Sequence, residues 1–129
     1  EVYLLAEERV EALSALLGRP LRRKTASVPG EEVAKWLEAV HPLSPSRAIP
    51  FIPSDHVSAA GGTGLVHTAP GHGHEDYVAC KRAGLSEVHC PVDMAGRFTE
   101  EADALAPLAM RHLQGPLAGR SVLKEGNEA

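Results

Sequence analysis

The side chains best suited to chemistry are concentrated in one stretch, from Gly61 to Tyr77, which reads GGTGLVHTAPGHGHEDY. This stretch contains five glycines, three histidines, two threonines and the acidic pair Glu75–Asp76. A glycine such as Gly73 allows the backbone to come close to a bound group. The combination predicts a glycine-lined loop that binds a ligand, with polar groups at its two ends.

Asp76 and His67 suggest what kind of ligand the loop would take. A carboxylate at Asp76 supplies a fixed negative charge, and His67 supplies a partly polar wall, so a cationic group such as the α-ammonium of an amino acid would fit. A charge-assisted hydrogen bond of this kind contributes about 1.5–3 kcal/mol. The alternative is that Asp76 is an ordinary early-helix residue favoured by the helix dipole. The residues alone leave both interpretations open.

A metal site is an alternative use of the same residues. Zinc ligand types occur at five positions, namely His67, His72, His74, Asp76 and His89. Their spacing does not follow the HExxH pattern of a helical zinc site, and the glycines between them favour close approach of a ligand instead. We therefore expect no metal, with a histidine-based metal hydrolase as a further hypothesis.

Nucleophilic and phosphate-binding chemistry fit the sequence less well. Cys80 follows Asp76 by one helical turn, where the carboxylate disfavours a thiolate, so a buried structural cysteine is the better interpretation. Thr68 with a histidine base is the other candidate nucleophile. The run Gly61–Gly64 lacks the lysine of a P-loop. The basic run Arg19–Lys24 could contact phosphate, although such runs are more often solvated.

The elements that position these residues are predicted from apolar runs and breaks. Leu65–Val66 predicts a short buried strand that ends at His67 and Thr68, and Pro70–Gly71 breaks it. A helix is predicted from Glu75 to Ala83, because Gly84 suits its C-terminal cap.

Outside this region, the pattern predicts strands at Val2–Leu5 and Val88–Val92 and a helix at Glu7–Leu17. A second helix from Pro29 to Pro42 would bury Trp36 in the core. The remaining predictions are an extended connection at His41–Pro53, a turn at Asp93–Gly96, a helix at Ala104–Leu113 interrupted by Pro107, a loop at Gln114–Gly119 and a frayed polar C-terminus.

Composition limits the class of protein. The 129 residues are 43% hydrophobic, 4% aromatic and 23% charged, with a net charge of −4. These values predict one domain, or part of one, with an aliphatic, alanine-rich core and no general attraction to nucleic acid. Two cysteines form neither a disulfide framework nor a zinc signature, which favours a reducing compartment. No apolar run suggests a membrane span.

The motif GTGLVHTAPGHGHEDY at Gly62–Tyr77 resembles the signature of the editing domain, connective polypeptide 1, of isoleucyl-tRNA synthetase, a class I aminoacyl-tRNA synthetase. The valyl and leucyl editing domains share the GTG but not the HTAP. Weaker similarities run from Val2 to Leu123, at His41-Pro42-Leu43, Asp55-His56-Val57 after Pro53, Gly84-Leu85, Pro91-Val92-Asp93, Gly96 with Phe98, and Leu117-Ala118-Gly119.

This resemblance implies a mixed α/β, barrel-like editing domain that is incomplete at its N-terminal edge and occupies residues 1–129. The implied activity is hydrolysis of valine wrongly esterified to tRNA(Ile). Asp76 would bind the α-ammonium group and His67 would help to reject isoleucine. The remaining implied substrate contacts are Gly62, Thr63, Gly64, Thr68, Gly71, His72, Gly73 and His74.

One departure from the family concerns a threonine-rich peptide of the form TTTPWT, which the family has before the strand predicted at Val2–Leu5. Here the threonines are isolated, at Thr25, Thr63, Thr68 and Thr99. We therefore expect a fragment with little activity alone, the C-terminal portion of an editing domain. A non-catalytic module that binds tRNA or protein is the alternative.

The resemblance also implies partners and a location. The partners would be the acceptor end of mischarged tRNA(Ile) and the rest of the synthetase, without a membrane. No cofactor is expected in this fragment, because ATP would bind the aminoacylation domain. The cytoplasm is the expected location, and the mitochondrial matrix is the alternative.

Overall fold

Short helices and one β-hairpin make up the computed structural model, which describes residues 1–124. The elements in chain order are a 3-10 turn at Glu7–Arg9, α1 at Val10–Leu16, α2 at Gly30–Trp36, β1 at Glu38–His41, β2 at Ser44–Pro50, α3 at His74–Arg82, α4 at Glu100–Leu105 and α5 at Pro107–Leu113. The mixed α/β class is confirmed. Within residues 1–124 the sheet has two strands and no barrel closes, so the barrel-like expectation is not met there.

All four predicted helices are present, and the first and third differ from the prediction by no more than one residue at either end. The 3-10 turn and α1 cover Glu7–Leu16, and Gly18 follows with φ +63, a left-handed conformation that ends the helix. Helix α3 ends one residue before Ala83, and Gly84 takes φ +78 as a C-terminal cap requires. Ala106 separates α4 from α5, and Pro107 is the first residue of α5, which agrees with a helix interrupted at that proline.

The prediction that Trp36 lies in the core is wrong, because α2 ends at that residue. Leu37 is already extended (φ −115, ψ 133), and β1 begins at Glu38. Strand pairing removes Leu37–Val40 from the helix, so the apolar stripe of the sequence is not one face. Val33 is buried, whereas the Trp36 side chain is 64% exposed.

The extended prediction for residues 41–53 is confirmed over β2. This strand pairs with β1 in antiparallel register, with Glu38 opposite Pro50 and Val40 opposite Ala48, and the register shifts between Val40 and His41. In a two-stranded sheet every strand is an edge, where a proline without an N–H group is tolerated.

The three other predicted strands are absent from the structure. Val2–Leu5 and Leu65–Val66 have no strand partner, and Val88–Val92 contributes one isolated bridge, from Val92 to Phe98. A short apolar run forms a strand when a second strand supplies hydrogen bonds. Here the link near the first two runs is a single bond of 2.8 Å, from Ala6 N–H to the Thr63 carbonyl.

The core is small, aliphatic and alanine-rich, as composition predicts. Its buried apolar residues are Val33, Ala79, Cys80, Ala102 and Leu117. The Asp103 carboxylate ties the loop at 114–119 to α4, because it accepts a hydrogen bond of 2.6 Å from the Leu117 N–H. The turn predicted at Asp93–Gly96 is present, since the Gly96 N–H donates to the Asp93 carbonyl at 3.0 Å.

Two further predictions concern the C-terminal residues and the absence of a membrane span. The C-terminal residues for which fraying is predicted lie largely outside the part of the chain that the structure describes. None of the helices in residues 1–124 has the length and apolar composition that a membrane crossing requires.

A close backbone contact holds the central loop to the segment before Val92. A Cβ atom placed on Gly71 would lie 2.1 Å from the His89 carbonyl oxygen, whereas one on Gly61 would meet nothing within 4 Å. Neither glycine has a positive φ, so substitution at both positions tests space and not backbone strain.

Replacing Gly71 by alanine should therefore destabilise the fold, by about 1–3 kcal/mol in the free energy of unfolding, because overpacking forces backbone shifts. Gly61→Ala is the matched control and should change it by less than about 0.5 kcal/mol or raise it slightly. Urea unfolding of the two variants measures the difference. Equal stabilities would contradict the contact.

The two thiols should differ in reactivity. Cys80 is buried on α3, where burial and then the charge of Asp76 raise the pKa of its thiol, whereas Cys90 is exposed. At pH 8 a raised pKa means less thiolate, so Cys80 should react with a disulfide reagent at least about tenfold more slowly than Cys90. Labelling of Cys90→Ser and Cys80→Ser separates the two rates, and similar rates would refute the assignment.

Candidate functional site

Asp76 is held at the start of α3 by the loop that precedes it. Gly73 is extended (φ −141, ψ 131) and caps the helix, which begins at His74. The His72 N–H donates to the Ala69 carbonyl at 2.9 Å, so the loop turns back on itself. The Ala69 N–H donates to Asp76 Oδ2 at 3.0 Å. The carboxylate therefore closes the loop at a fixed position.

The second oxygen of Asp76 faces a histidine from an earlier segment. His56 Nε2 lies 3.4 Å from Asp76 Oδ1, and the two side chains are 20% and 22% exposed. The other ring nitrogen, His56 Nδ1, is 2.8 Å from the Ser54 hydroxyl. Partial burial strengthens the interaction of such a carboxylate with a cation, because less water screens the charge.

His56 and Ser54 border the candidate site, and neither was predicted from the sequence as a site residue. Asp55-His56-Val57 was identified only as a similarity to the family, with no role for its histidine. No periodicity or spacing connects this segment to α3, because the link is made by tertiary folding alone. The one available signal was the presence of His56 inside a family motif.

Gly73 leaves room for the carboxylate. A Cβ atom at this position would lie 2.9 Å from Asp76 Oδ2 and 3.1 Å from its Cγ. Since real Cβ atoms do not approach an oxygen so closely, any side chain at 73 would displace the Asp76 carboxylate. The close contact at Gly73 is therefore with Asp76 of the same chain, and close approach of Gly73 to a bound group stays a prediction.

A small pocket of about 230 Å³ lies beside Asp76, on the flank of α3. Its walls carry both signs of charge, and the lining residues are Ser54, Asp55, His56, His74, Glu75, Val78, Ala79 and Arg82. Of the predicted substrate contacts, His74 is in this wall. Asp76 borders it through His56 and is not part of the lining.

His67 is exposed, and its charge acts on His41 of the hairpin. The pKa of His41 is lowered by burial and then by the charges of Arg47 and His67. The contacts that hold Asp76 come instead from Ala69 and His56. Within residues 1–124, the two predicted catalytic side chains are therefore not joined by a direct contact.

The loop Gly62-Thr63-Gly64 is packed against the N-terminal helix. Arg9 donates from Nε to the Gly62 carbonyl and from Nη1 to the Ala60 carbonyl, both at 2.9 Å. A Cβ on Gly64, which has φ +78, would lie 2.3 Å from the Ala6 Cβ. These carbonyls are thus already satisfied by protein donors.

Thr68 and His72 are two further predicted substrate contacts. Thr68 is partly buried, whereas His72 is exposed. Gly71 packs on the His89 carbonyl, so the two segments touch through their backbones. The His89 ring itself faces carboxylates, with Nδ1 at 2.7 Å from Glu101.

The alternative chemistries find little support in the geometry. Within residues 1–124, no group of three or more histidine, cysteine or acidic side chains is arranged to hold a metal ion. The interpretation of Cys80 as a buried structural cysteine is confirmed by its 6% exposure. In the basic run, Arg19 pairs with Glu1 at 2.7 Å and Arg23 pairs with Glu7, on the surface.

The whole chain is similar to isoleucine–tRNA ligases of several organisms. The chain is 42% identical to the enzyme of Rippkaea orientalis over 129 residues, 45% identical to that of a Cyanothece species over 126 residues, and 42% identical to that of Gloeobacter violaceus over 128 residues. These alignments include 100%, 98% and 99% of this chain. No family model matches the chain.

The matched segment is a small part of each relative, about 12% of its length. The aligned segments include the glycine-lined loop, α3 and the residues on both sides, since nearly every residue of this chain is aligned. The chain therefore belongs to the isoleucine–tRNA ligase family, as a segment that spans about 12% of the length of its relatives.

Proposed function

We propose that this segment carries out editing, the hydrolysis of the ester that joins a wrongly attached valine to tRNA(Ile). The observation that carries the proposal is the Asp76 carboxylate, which is largely buried, held on one oxygen by the Ala69 N–H and set beside His56. A fixed, poorly solvated carboxylate suits recognition of an α-ammonium group. Family membership supplies the substrate class.

Such an activity compensates for the small difference in binding free energy between valine and isoleucine. Isoleucine–tRNA ligases are themselves the usual example of this problem. Valine lacks one methylene of isoleucine, and a methylene in an apolar pocket contributes only about 1–3 kcal/mol to discrimination. Hydrolysis at a second site, which admits valine and excludes isoleucine, removes the errors that binding alone permits.

In the proposed mechanism, Asp76 anchors the substrate and orients its ester. The ammonium group would form a charge-assisted hydrogen bond to the carboxylate, and the ester carbonyl would then be presented to a water molecule. Correct placement of two reacting groups can supply several kcal/mol of the barrier. Backbone dipoles near the carbonyl would stabilise the oxyanion of the tetrahedral intermediate, and no covalent enzyme intermediate is required.

His67 and the glycine loops have proposed roles around the anchor. His67 would line the pocket for the amino-acid side chain and exclude isoleucine. The backbones of Gly62–Gly64 and Gly71–Gly73, with Thr68 and His74, would face the terminal adenosine of the tRNA. His67 is exposed in this structure and therefore accessible to a substrate.

The proposed partners are the acceptor end of mischarged tRNA(Ile) and the remainder of a synthetase. ATP would be used by the aminoacylation domain and not by this segment. The proposed location is the cytoplasm, where tRNA charging occurs. With a net charge of −4, this segment would not hold the tRNA by charge alone, so most of the affinity would come from the rest of the enzyme.

The central test is deacylation of valyl-tRNA(Ile) by an isoleucine–tRNA ligase in which residues 1–129 replace the matching segment. Asp76→Ala should lower kcat/KM at least about 100-fold, and Asp76→Asn should do nearly the same, because an amide keeps the shape but not the charge. Glu75→Ala is the matched control, one residue earlier on α3, and should stay within about threefold of the parent.

Two results would count against this proposal, the first against the role of Asp76 and the second against editing itself. Undiminished hydrolysis by Asp76→Ala would remove Asp76 from the mechanism. Failure of the parent to hydrolyse the ester, with tRNA binding retained, would favour the non-catalytic binding module. The 129-residue chain alone serves as a further comparison, because it lacks a TTTPWT peptide and is expected to be weakly active.

His67 should control specificity more than rate. In the same enzyme, His67→Ala should enlarge the pocket, so that hydrolysis of correctly charged isoleucyl-tRNA(Ile) rises roughly tenfold or more while valyl-tRNA(Ile) hydrolysis changes little. The ratio of the two kcat/KM values is the measurement. His112→Ala, which changes an exposed histidine on α5 outside the loop, is the control, and an unchanged ratio for His67→Ala would exclude a specificity role.

A further inference from the structure

The imidazole of His56 lies between two polar side chains from different segments. Its Nδ1 is 2.8 Å from the Ser54 hydroxyl, and its Nε2 is 3.4 Å from Asp76 Oδ1. The ring therefore connects the segment before the glycine-lined loop to the carboxylate on α3. Neither the sequence resemblance nor the proposed mechanism gives His56 a role.

The two neighbours determine which ring nitrogen carries the proton. A carboxylate oxygen only accepts hydrogen bonds, so a proton on Nε2 is favoured where this atom faces Asp76. Nδ1 then accepts a hydrogen bond from Ser54, whose hydroxyl can donate. Donation runs in one direction, from the serine hydroxyl to the imidazole and from the imidazole toward the carboxylate.

The contact between His56 and Asp76 is close but not fully formed. The 3.4 Å separation exceeds the usual N–H···O distance of about 2.9 Å, and Nε2 is buried without a hydrogen-bond partner of good geometry. A buried N–H donor without a hydrogen bond is unfavourable. A small movement of the carboxylate toward Nε2 would form that hydrogen bond and lower the free energy. Hydrogen bonds in active sites often tighten in this manner when substrate binds.

Three neighbours restrict the orientation of the carboxylate. The Ala69 N–H holds Oδ2 at 3.0 Å, and His56 faces Oδ1. On a third side, Gly73 leaves no space for a larger residue, since its Cβ would lie 2.9 Å from Oδ2. A carboxylate oriented before binding loses less conformational freedom when a ligand arrives.

We propose that His56 is a positioning residue, which orients the Asp76 carboxylate toward the α-ammonium group of the aminoacyl ester. The inference rests on the proposed function, because it takes that ester as the substrate. His56 acts through Asp76 and does not touch the reacting atoms. Ser54 supports it by holding Nδ1 as an acceptor.

Two amide variants separate positioning from packing. In the synthetase carrying this segment, His56→Gln can place an N–H donor near the position of Nε2, whereas the shorter His56→Asn reaches only the position of Nδ1. Hydrolysis of valyl-tRNA(Ile) by His56→Gln should stay within about fivefold of the parent. His56→Asn should lower kcat/KM about 10–100-fold, since a misplaced group costs about that much. Ser54→Ala should have an intermediate effect.

A binding measurement distinguishes positioning of Asp76 from a purely structural role of His56, because only positioning affects recognition of the α-amino group. The probes are an amide analogue of valyl-adenosine, which is not hydrolysed, and the matching compound without its α-amino group. His56→Asn should weaken binding of the first compound about tenfold or more and leave the second unchanged. Equal weakening of both compounds, or of neither, would overturn the positioning role.

Coupling to Asp76 completes the test. Because His56 acts through Asp76, adding His56→Asn to the Asp76→Ala variant should cause no further loss of hydrolysis. An additional loss of tenfold would overturn the inference, as would equal activities of His56→Gln and His56→Asn. If the parent enzyme does not hydrolyse valyl-tRNA(Ile), the proposed function fails. If Asp76→Ala retains full hydrolysis, editing stands, but Asp76 leaves the mechanism and the role of His56 fails with it. If Asp76→Ala is inactive but His56→Asn is fully active, only the role of His56 fails.

Discussion

The hydrogen bond from the Ala69 N–H to Asp76 Oδ2, at 3.0 Å, is the interaction on which the arrangement of the candidate site depends. Ala69 is used in both directions, since its carbonyl also accepts from the N–H groups of His72 and Gly73. The loop is therefore closed on itself and joined to the first turn of α3. Because α3 packs into the core through the buried residues Ala79 and Cys80, the carboxylate at its start is fixed relative to the core.

Steric limits around this bond are as important as the bond itself. Gly64, Gly71 and Gly73 each lie where a Cβ would come within 3.0 Å of a neighbour, respectively Ala6, the His89 carbonyl and Asp76. The first two contacts attach the loop to segments on either side, and the third admits the carboxylate. Glycine in this loop thus serves internal packing, in addition to any approach by a ligand.

The sequence was informative where local rules decide the structure. Helix α3, its glycine cap and the interruption at Pro107 follow from spacing and from the properties of glycine and proline. Trp36 could not be placed in this way, because pairing of β1 with β2 ends the helix that its periodicity suggests. The predicted strand at Leu65–Val66 did not form, because no second strand pairs with it in residues 1–124. An apolar run alone does not show whether a pairing strand is present.

The candidate site shows the same division between local and tertiary information. Asp76 was identified from a motif, and its place in the first turn of α3 follows from local sequence. The pairing of His56 with Asp76 is tertiary, and no pattern along the chain indicates it. His67 was grouped with Asp76 because both belong to one motif, but within residues 1–124 the polar contacts of Asp76 come from Ala69 and His56.

The exposure of Trp36 has a spectroscopic consequence. It is the single tryptophan of the chain, and 64% of it is open to solvent at the junction of α2 and β1. Its fluorescence therefore originates from one surface position, with emission at long wavelength as water surrounds an exposed indole. Any part of a synthetase that covers this junction would shift the emission to shorter wavelength. The residue that the core does not use is thus an intrinsic optical reporter of how this segment is packed within a larger enzyme.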